Sequence, residues 1–226
     1  MSKKPAKKTT KKTTKKSASK ATRKAAPKAG KPVGKSAGKI PAKTPAASGR
    51  KPAGGRSVAA ASNAVSKRSS ALLRFSHKML ADMAAGIPDE RACEQLPGAY
   101  NHKLWTLGHM AHSNQWFASL IDGQPMTSPQ EWETLYGMKS KPTSDPAVYS
   151  PVADMRAAFE ASIDRLCAAV DALSDAELDA PPAGDGAGFV TDKLDSAFKA
   201  AWHYGWHLGQ IASLRKGLGL PSLMGG

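Results

Sequence analysis

The sequence predicts an all-α protein: a four-helix bundle over residues 69–226, preceded by a disordered basic N-terminal tail over residues 1–68. Three observations predict it. Residues 1–70 hold 21 of the 33 Lys and Arg, none of the 18 acidic residues, and no Trp, Tyr or Phe. Beyond them, apolar residues recur at three-to-four spacing in four separate runs, the period of a helix packed on one side. No stretch alternates in the manner of a half-buried strand.

The tail is built from Lys, Ala, Thr, Ser, Pro and Gly, as in KKPAKKTTKKTTKKSASK, with prolines at 5, 27, 32, 41, 45 and 52. Lacking large apolar groups, it cannot offset the entropy of ordering its backbone. In composition it resembles the tails of histone H1 and bacterial histone H1-like proteins. A flexible polycation binds nucleic acid or another polyanion by displacing counterions, independently of sequence and with strong salt dependence. Without aromatic residues to stack on bases, it is not expected to read them. The G-x-S-x-G match at Gly34–Gly38 has no strand–turn–helix context and is chance.

The other 156 residues carry 12 basic against 18 acidic side chains and are long enough for one hydrophobic core. Cys93 and Cys167 stand far apart without a CxxC, which excludes a disulfide scaffold and a cysteine zinc site and leaves two reduced core thiols. No apolar run has the length of a membrane span, and no hydrophobic region follows the basic start as in a secretory signal. The expectation is a cytoplasmic protein without a membrane partner, brought to the nucleoid by its tail.

The first helix is expected to start at Ser69 or Ser70 and to bury Leu72, Phe75 or Ser76, Met79, Leu80 and Met83 before Gly86-Ile87-Pro88 ends it. Pro97-Gly98 marks a turn in the connector. The second is expected over Asn101–Leu120, stopping at Asp122-Gly123, with Trp105, His109, His112, Trp116 and Leu120 on one face. Residues 124–149 show little periodicity and read as a long connection of the kind that carries function. There Trp132, Tyr136 and Met138 are either an apolar wall for a substrate or ordinary loop anchors. Ser150-Pro151 starts a third helix burying Met155, Phe159, Ile163, Leu166 and Val170. Thr191 or Asp192 starts the fourth, with Leu194, Phe198, Ala201, Gly205 and Leu208 as its packing face. Gly205 and Gly209, one turn apart, would admit a close neighbouring helix. One long crossing connection among four helices describes a bundle. No apolar stripe remains unassigned, and the oligomeric state stays open, with a homodimer among the outcomes.

All six histidines fall in the bundle. His203 and His207 form H-x-x-x-H, which places two imidazoles on one side of a helix, one turn apart. The residues between them, Tyr204, Gly205 and Trp206, lack the glutamate of H-E-x-x-H, so a zincin-type peptidase is disfavoured. His109, a polar ring on a stripe of Trp and Leu, needs a partner and is the third candidate ligand. His112 is a fourth ligand or an outer support. His77 and His102, near helix ends, are expected to be solvated.

Two segments resemble the DinB-like superfamily: Asn101-His102-Lys103-Leu104-Trp105-Thr106-Leu107-Gly108-His109-Met110-Ala111, and His203-Tyr204-Gly205-Trp206-His207-Leu208-Gly209-Gln210-Ile211. Leu218-Gly219-Leu220-Pro221 also fits, so the resemblance runs over residues 70–223. It implies an up-up-down-down four-helix bundle with a divalent metal, frequently zinc or nickel, on His109, His203 and His207; three neutral imidazoles also suit ferrous iron. Gln210 is then a ligand support or a packing group. The resemblance further implies a thiol-dependent S-transferase or isomerase using a low-molecular-weight thiol such as bacillithiol, mycothiol or glutathione. The alternative is a non-catalytic, DNA-associated stress protein whose bundle holds a structural metal or none.

Overall fold

The computed structural model describes residues 62–98 and 101–223. Residues 1–61 of the expected tail lie outside the described residues, as does Tyr100 of the first connector, while 64–68, expected to be disordered, form the first turn of a helix, which corrects the boundary at 68. The described chain forms α1 (Ala64–Ala85), α2 (Lys103–Asp122), α3 (Glu131–Tyr136), α4 (Val152–Asp171), α5 (Asp175–Leu178) and α6 (Lys193–Gly217), with short 3-10 turns at Asp89–Arg91 and Pro146–Val148. Among the described residues there is no β-strand, and no helix is long and apolar enough to cross a membrane.

The four long helices form the bundle: α1 packs on α4 and α6, and α2 packs on the same two, so α1 and α2 stand diagonally. Ser66, Ser70 and His77 of α1 meet Val170, Cys167 and Glu160 of α4 in falling order, which makes that pair antiparallel. His77 and Met83 meet Tyr204 and Arg215 in rising order, so α1 and α6 run parallel. Contacts of His109 with His203 and of Phe117 with Ser196 make α2 and α6 antiparallel. The order is therefore up-down-down-up, which corrects the implied up-up-down-down. The latter needs two long crossovers. Here the chain turns back at one end after α1 and again after α4. Only residues 123–151 climb the bundle's length, about 30 Å for a twenty-residue helix.

Helix α1 begins at Ala64, five residues before the earliest expected cap. Its start is held from across the bundle. The Asp175 carboxylate accepts the backbone N–H groups of Ala64, Val65 and Ser66 and the Ser62 hydroxyl. Inside, Ser66 and Ser70 donate to the carbonyls of Val170 and Cys167, so a serine expected in the tail and one expected at the helix boundary are core residues. The α2 and α4 positions match the expectations, as do all five core residues named for α4, but His112 and Trp116 of the expected α2 face are only partly buried. Pro151 sits at the cap position of α4, and no side chain caps that helix. Two short helices escape the periodicity: α3, within 124–149, and α5, where Ser174 donates its N–H and hydroxyl to the Glu177 carboxylate.

The buried stripes of α1 and α6 also differ from expectation. On α6 the core face is Ala197, Ala200, Tyr204, His207, Ile211 and Leu214, while Phe198 and Gly205 face outward. On α1, Leu73, His77, Leu80 and Met83 are buried, whereas Leu72 and Phe75 are exposed. An apolar stripe thus does remain at the surface. The inner stripes carry polar groups that find partners only inside, so an apolar count alone selects the wrong face. Cys167 is fully buried in the core, and Cys93 is partly exposed; both are free thiols.

Candidate metal centre

His109 comes from the middle of α2, and His203 and His207 come from successive turns of the antiparallel α6. Their Nε2 atoms converge: that of His203 lies 3.1 Å from His109 and 3.0 Å from His207. One ligand atom from each ring falls within 4.8 Å of the others, and no carboxylate or thiol joins the group among the described residues. The three predicted residues are thereby brought together.

The sequence around His109 explains how α2 is built to present it. The His102 ring caps the helix by accepting the Trp105 N–H, and Gly123, at φ 71°, ends it. Gly108 lies against the ring of Tyr136, where a Cβ would collide with it. That close approach lets the Tyr136 carbonyl accept from His109 Nδ1 at 2.6 Å. Trp105 stacks on His109, with ring centroids 4.5 Å apart, and donates its Nε1–H to the Leu135 carbonyl and the Ser140 hydroxyl. Trp105, Gly108 and His109 therefore act together on one short segment, α3 and its exit. A carbonyl only accepts, so Nδ1 carries the His109 proton and Nε2 carries the lone pair.

Electrostatics favour neutral rings. Burial lowers the His109 pKa; the bond to Tyr136 opposes the shift and nearby His112 adds to it. Burial, and then His109, lower His203 to about 3. Burial, then His203 and His109, lower His207 to about 2, with the Gln210 side chain opposing as the smallest influence. At neutral pH three uncharged imidazoles thus face one another, His109 offering a lone pair at Nε2, while the buried Nδ1 atoms of His203 and His207 have no hydrogen bond of ordinary geometry. Two nitrogens bound to one ion at about 2.0–2.1 Å stand roughly 2.9–3.4 Å apart across octahedral to tetrahedral angles. The observed 3.0 and 3.1 Å fall in that range, and with the whole group within 4.8 Å the three residues could hold a divalent ion once the rings close on it.

His112 is not a fourth ligand. Its ring nitrogens are taken by Ser128 Oγ at 3.2 Å and Glu133 Oε2 at 2.9 Å, which ties α3 to α2 one turn beyond the Tyr136 contact. Gln210 accepts from Asn101 Nδ2 at 2.9 Å and braces α6 against the start of α2. His77 and His102 are buried rather than solvated. His77 contacts Tyr204 and Glu160, and His102 donates to the Thr143 carbonyl. Of the proposed substrate wall, Tyr136 is core, Trp132 packs on the core edge, and Met138 is 93% exposed. Two surface clefts, one walled by Ala81, Lys103 and Phe159 and the other by Asp89, Cys93 and Pro146, contain none of the three histidines.

Sequence reasoning missed the Tyr136 carbonyl and the packing role of Gly108. A glycine inside an otherwise strong helix, beside a candidate ligand, was the available signal of a close approach. Residues 72–211 match the model of the DinB superfamily, and the chain belongs to that superfamily. No curated protein is significantly similar to the chain.

Proposed function

We infer that this member of the DinB superfamily binds one divalent metal ion on His109, His203 and His207 and carries out a thiol-dependent transfer or isomerisation. The lysine-rich segment ahead of α1 serves as a polyanion-binding address. The donor set supports this most directly: three neutral imidazole nitrogens, with His203 partly open to solvent. Such a set leaves the ion's charge uncompensated and favours an anionic additional ligand. A bound divalent ion would lower the pKa of a low-molecular-weight thiol and so supply a thiolate at neutral pH.

The chain's own residues prepare the site. The Tyr136 carbonyl holds the His109 proton on Nδ1 and keeps Nε2 directed at the other two rings. Trp105, stacked on His109, shields one face of that ring from water. Burial keeps His203 and His207 unprotonated, so neither must lose a proton to bind. Zinc, nickel and ferrous iron all suit three imidazoles.

Elemental analysis of the full chain tests the site: the expectation is one divalent ion per chain, lost in His203→Ala. Turnover of model electrophiles with a panel of thiols, abolished in His207→Ala, tests the chemistry. No metal in either protein after reconstitution would overturn the reading. The charge distribution also supports a second, compatible reading, a DNA-associated protein, because residues 1–70 hold 21 Lys and Arg and no acidic residue. DNA affinity of the full chain should then fall steeply with salt. Affinity indifferent to salt would remove that reading.

A further inference from the structure

Two independent features mark the outer face of α1 and α6, which has no part in the metal centre. One is charge. Together α1 and α6 carry eight Lys and Arg against two Asp, whereas the rest of the described chain carries six against sixteen Asp and Glu. The bundle is therefore divided, with most of its cations and few of its anions on one helix pair. Lys67, Arg68 and Lys216 of that pair are exposed and form no ion pair among the described residues. Such a surplus draws phosphate groups to this side of the molecule and not to the other.

The second feature is a row of aromatic rings. Trp202 and Trp206 are 56% and 57% exposed, one turn apart on α6, with ring centroids 5.7 Å apart. Phe189 extends the row at 6.3 Å from Trp202, with Lys199 Nζ 4.7 Å over its ring. The parallel register set by His77 against Tyr204 puts the exposed Phe75 of α1 level with Trp202. Arg68 stands two turns before Phe75 on the same side of α1. A Cβ built on Gly205 or Gly209 would meet no atom within 4 Å, so the α6 surface beside Trp206 is bare. A sugar–phosphate backbone can pass close there, and no side chain at either glycine would answer a ribose 2′-hydroxyl.

Rings and cations together select the partner. An apolar protein surface would cover the rings and leave the cations unanswered. A duplex would answer the cations but keeps its bases in their own stack. An unpaired strand does both, since every base has a face to stack on an aromatic ring while its backbone follows the positive charge.

We propose that the outer face of α1 and α6, centred on Trp202 and Trp206, binds single-stranded DNA. Successive bases stack on the exposed rings, and the cations of the two helices hold the phosphates. This goes beyond the polyanion-binding reading of the lysine-rich segment, which has no aromatic residue and does not tell one strand from two.

Binding of oligo(dT), and of a duplex of equal length, to the full-length protein across a salt series tests it. Oligo(dT) should quench tryptophan fluorescence, and the duplex should not. Trp202→Ala and Trp206→Ala should each weaken oligo(dT) binding by about 10-fold, with duplex affinity and salt slope unchanged. Trp206→Phe should restore most of that loss. Both side chains lie outside the core, so helicity and metal content of the variants should match wild type. Oligo(dT) affinity indifferent to both substitutions overturns the proposal, and salt-dependent duplex binding in the same experiment leaves the polyanion reading standing. Failure to bind the duplex, with oligo(dT) bound and quenching, sinks that reading and upholds this one. Oligo(U) bound more tightly than oligo(dT) overturns the assignment to DNA. Shielding of both tryptophans from acrylamide in the free protein, by a second copy or another segment, overturns it too.

Discussion

His77 and His207 are both buried histidines facing the interior of one bundle, yet their surroundings differ in kind. His77 belongs to a chain of contacts in which each polar group is answered. Its nitrogens meet Tyr204 and Glu160, the Tyr204 hydroxyl accepts from Asn114, and Asn114 also donates to Ser162. His207, three residues beyond Tyr204, points its Nε2 at another imidazole nitrogen and leaves Nδ1 without a hydrogen bond of ordinary geometry. A satisfied buried network specifies how helices pack. A converging set of neutral imidazole nitrogens that no carboxylate or hydroxyl answers suits a cation. The contrast separates structure from site more sharply than burial does, because both histidines are less than 7% exposed.

The largest effect should come from breaking the unsatisfied side. His207→Ala should weaken divalent-metal affinity by more than about 100-fold, beyond the cost of losing an outer support, as read by competition with a chromophoric chelator. The metal-free variant should also lose about 1–3 kcal/mol against the metal-free wild type in urea, because truncating a buried ring packed on Trp105 and His109 leaves a cavity.

Next comes His102, whose Nδ1 accepts from the Trp105 N–H and whose Nε2 donates to Thr143. Burial lowers its pKa from 6.5 to about 4. Its contribution to stability is fully present above pH 6.5 and is lost as pH falls towards 4, on the order of 3 kcal/mol in all. His102→Asn keeps a capping side chain and should flatten that part of the urea-stability profile against pH. An unchanged slope would show that His102 is not responsible.

On the satisfied side, Asn114→Ala should cost about 2 kcal/mol by leaving Tyr204 and Ser162 without their donor. Metal affinity should be nearly unchanged, which would confirm that the two polar regions are independent. The smallest effect belongs to Glu133→Gln. Loosening α3 beside His112 should lower metal affinity by up to about 10-fold through the Tyr136 carbonyl that orients His109, with little change in helicity by circular dichroism. An effect on stability alone would make Glu133 a packing residue only.

Much of this was legible in the linear pattern. The positions of α2, α4 and α6 follow from their periodicity and from their terminal residues Gly123 and Asp192. The histidine set follows from H-x-x-x-H together with one polar ring on an apolar stripe. The directions of the helices did not follow, because they depend on which connection crosses the bundle. Nor did the inner faces of α1 and α6. Leu72, Phe75 and Phe198 look like core by hydrophobicity, yet Ser66, Ser70, His77 and Tyr204 occupy the interior because their hydrogen-bond partners lie on other helices.

The sequence by itself determined the helical class and the three histidines, since local spacing and composition are properties of neighbours along the chain. Tertiary structure alone decided the up-down-down-up order, the Tyr136 carbonyl on His109, the aromatic outer face, and the rejection of His112 as a ligand. Each of these depends on groups distant in sequence meeting within hydrogen-bond or van der Waals reach, and helical periodicity carries no record of such meetings.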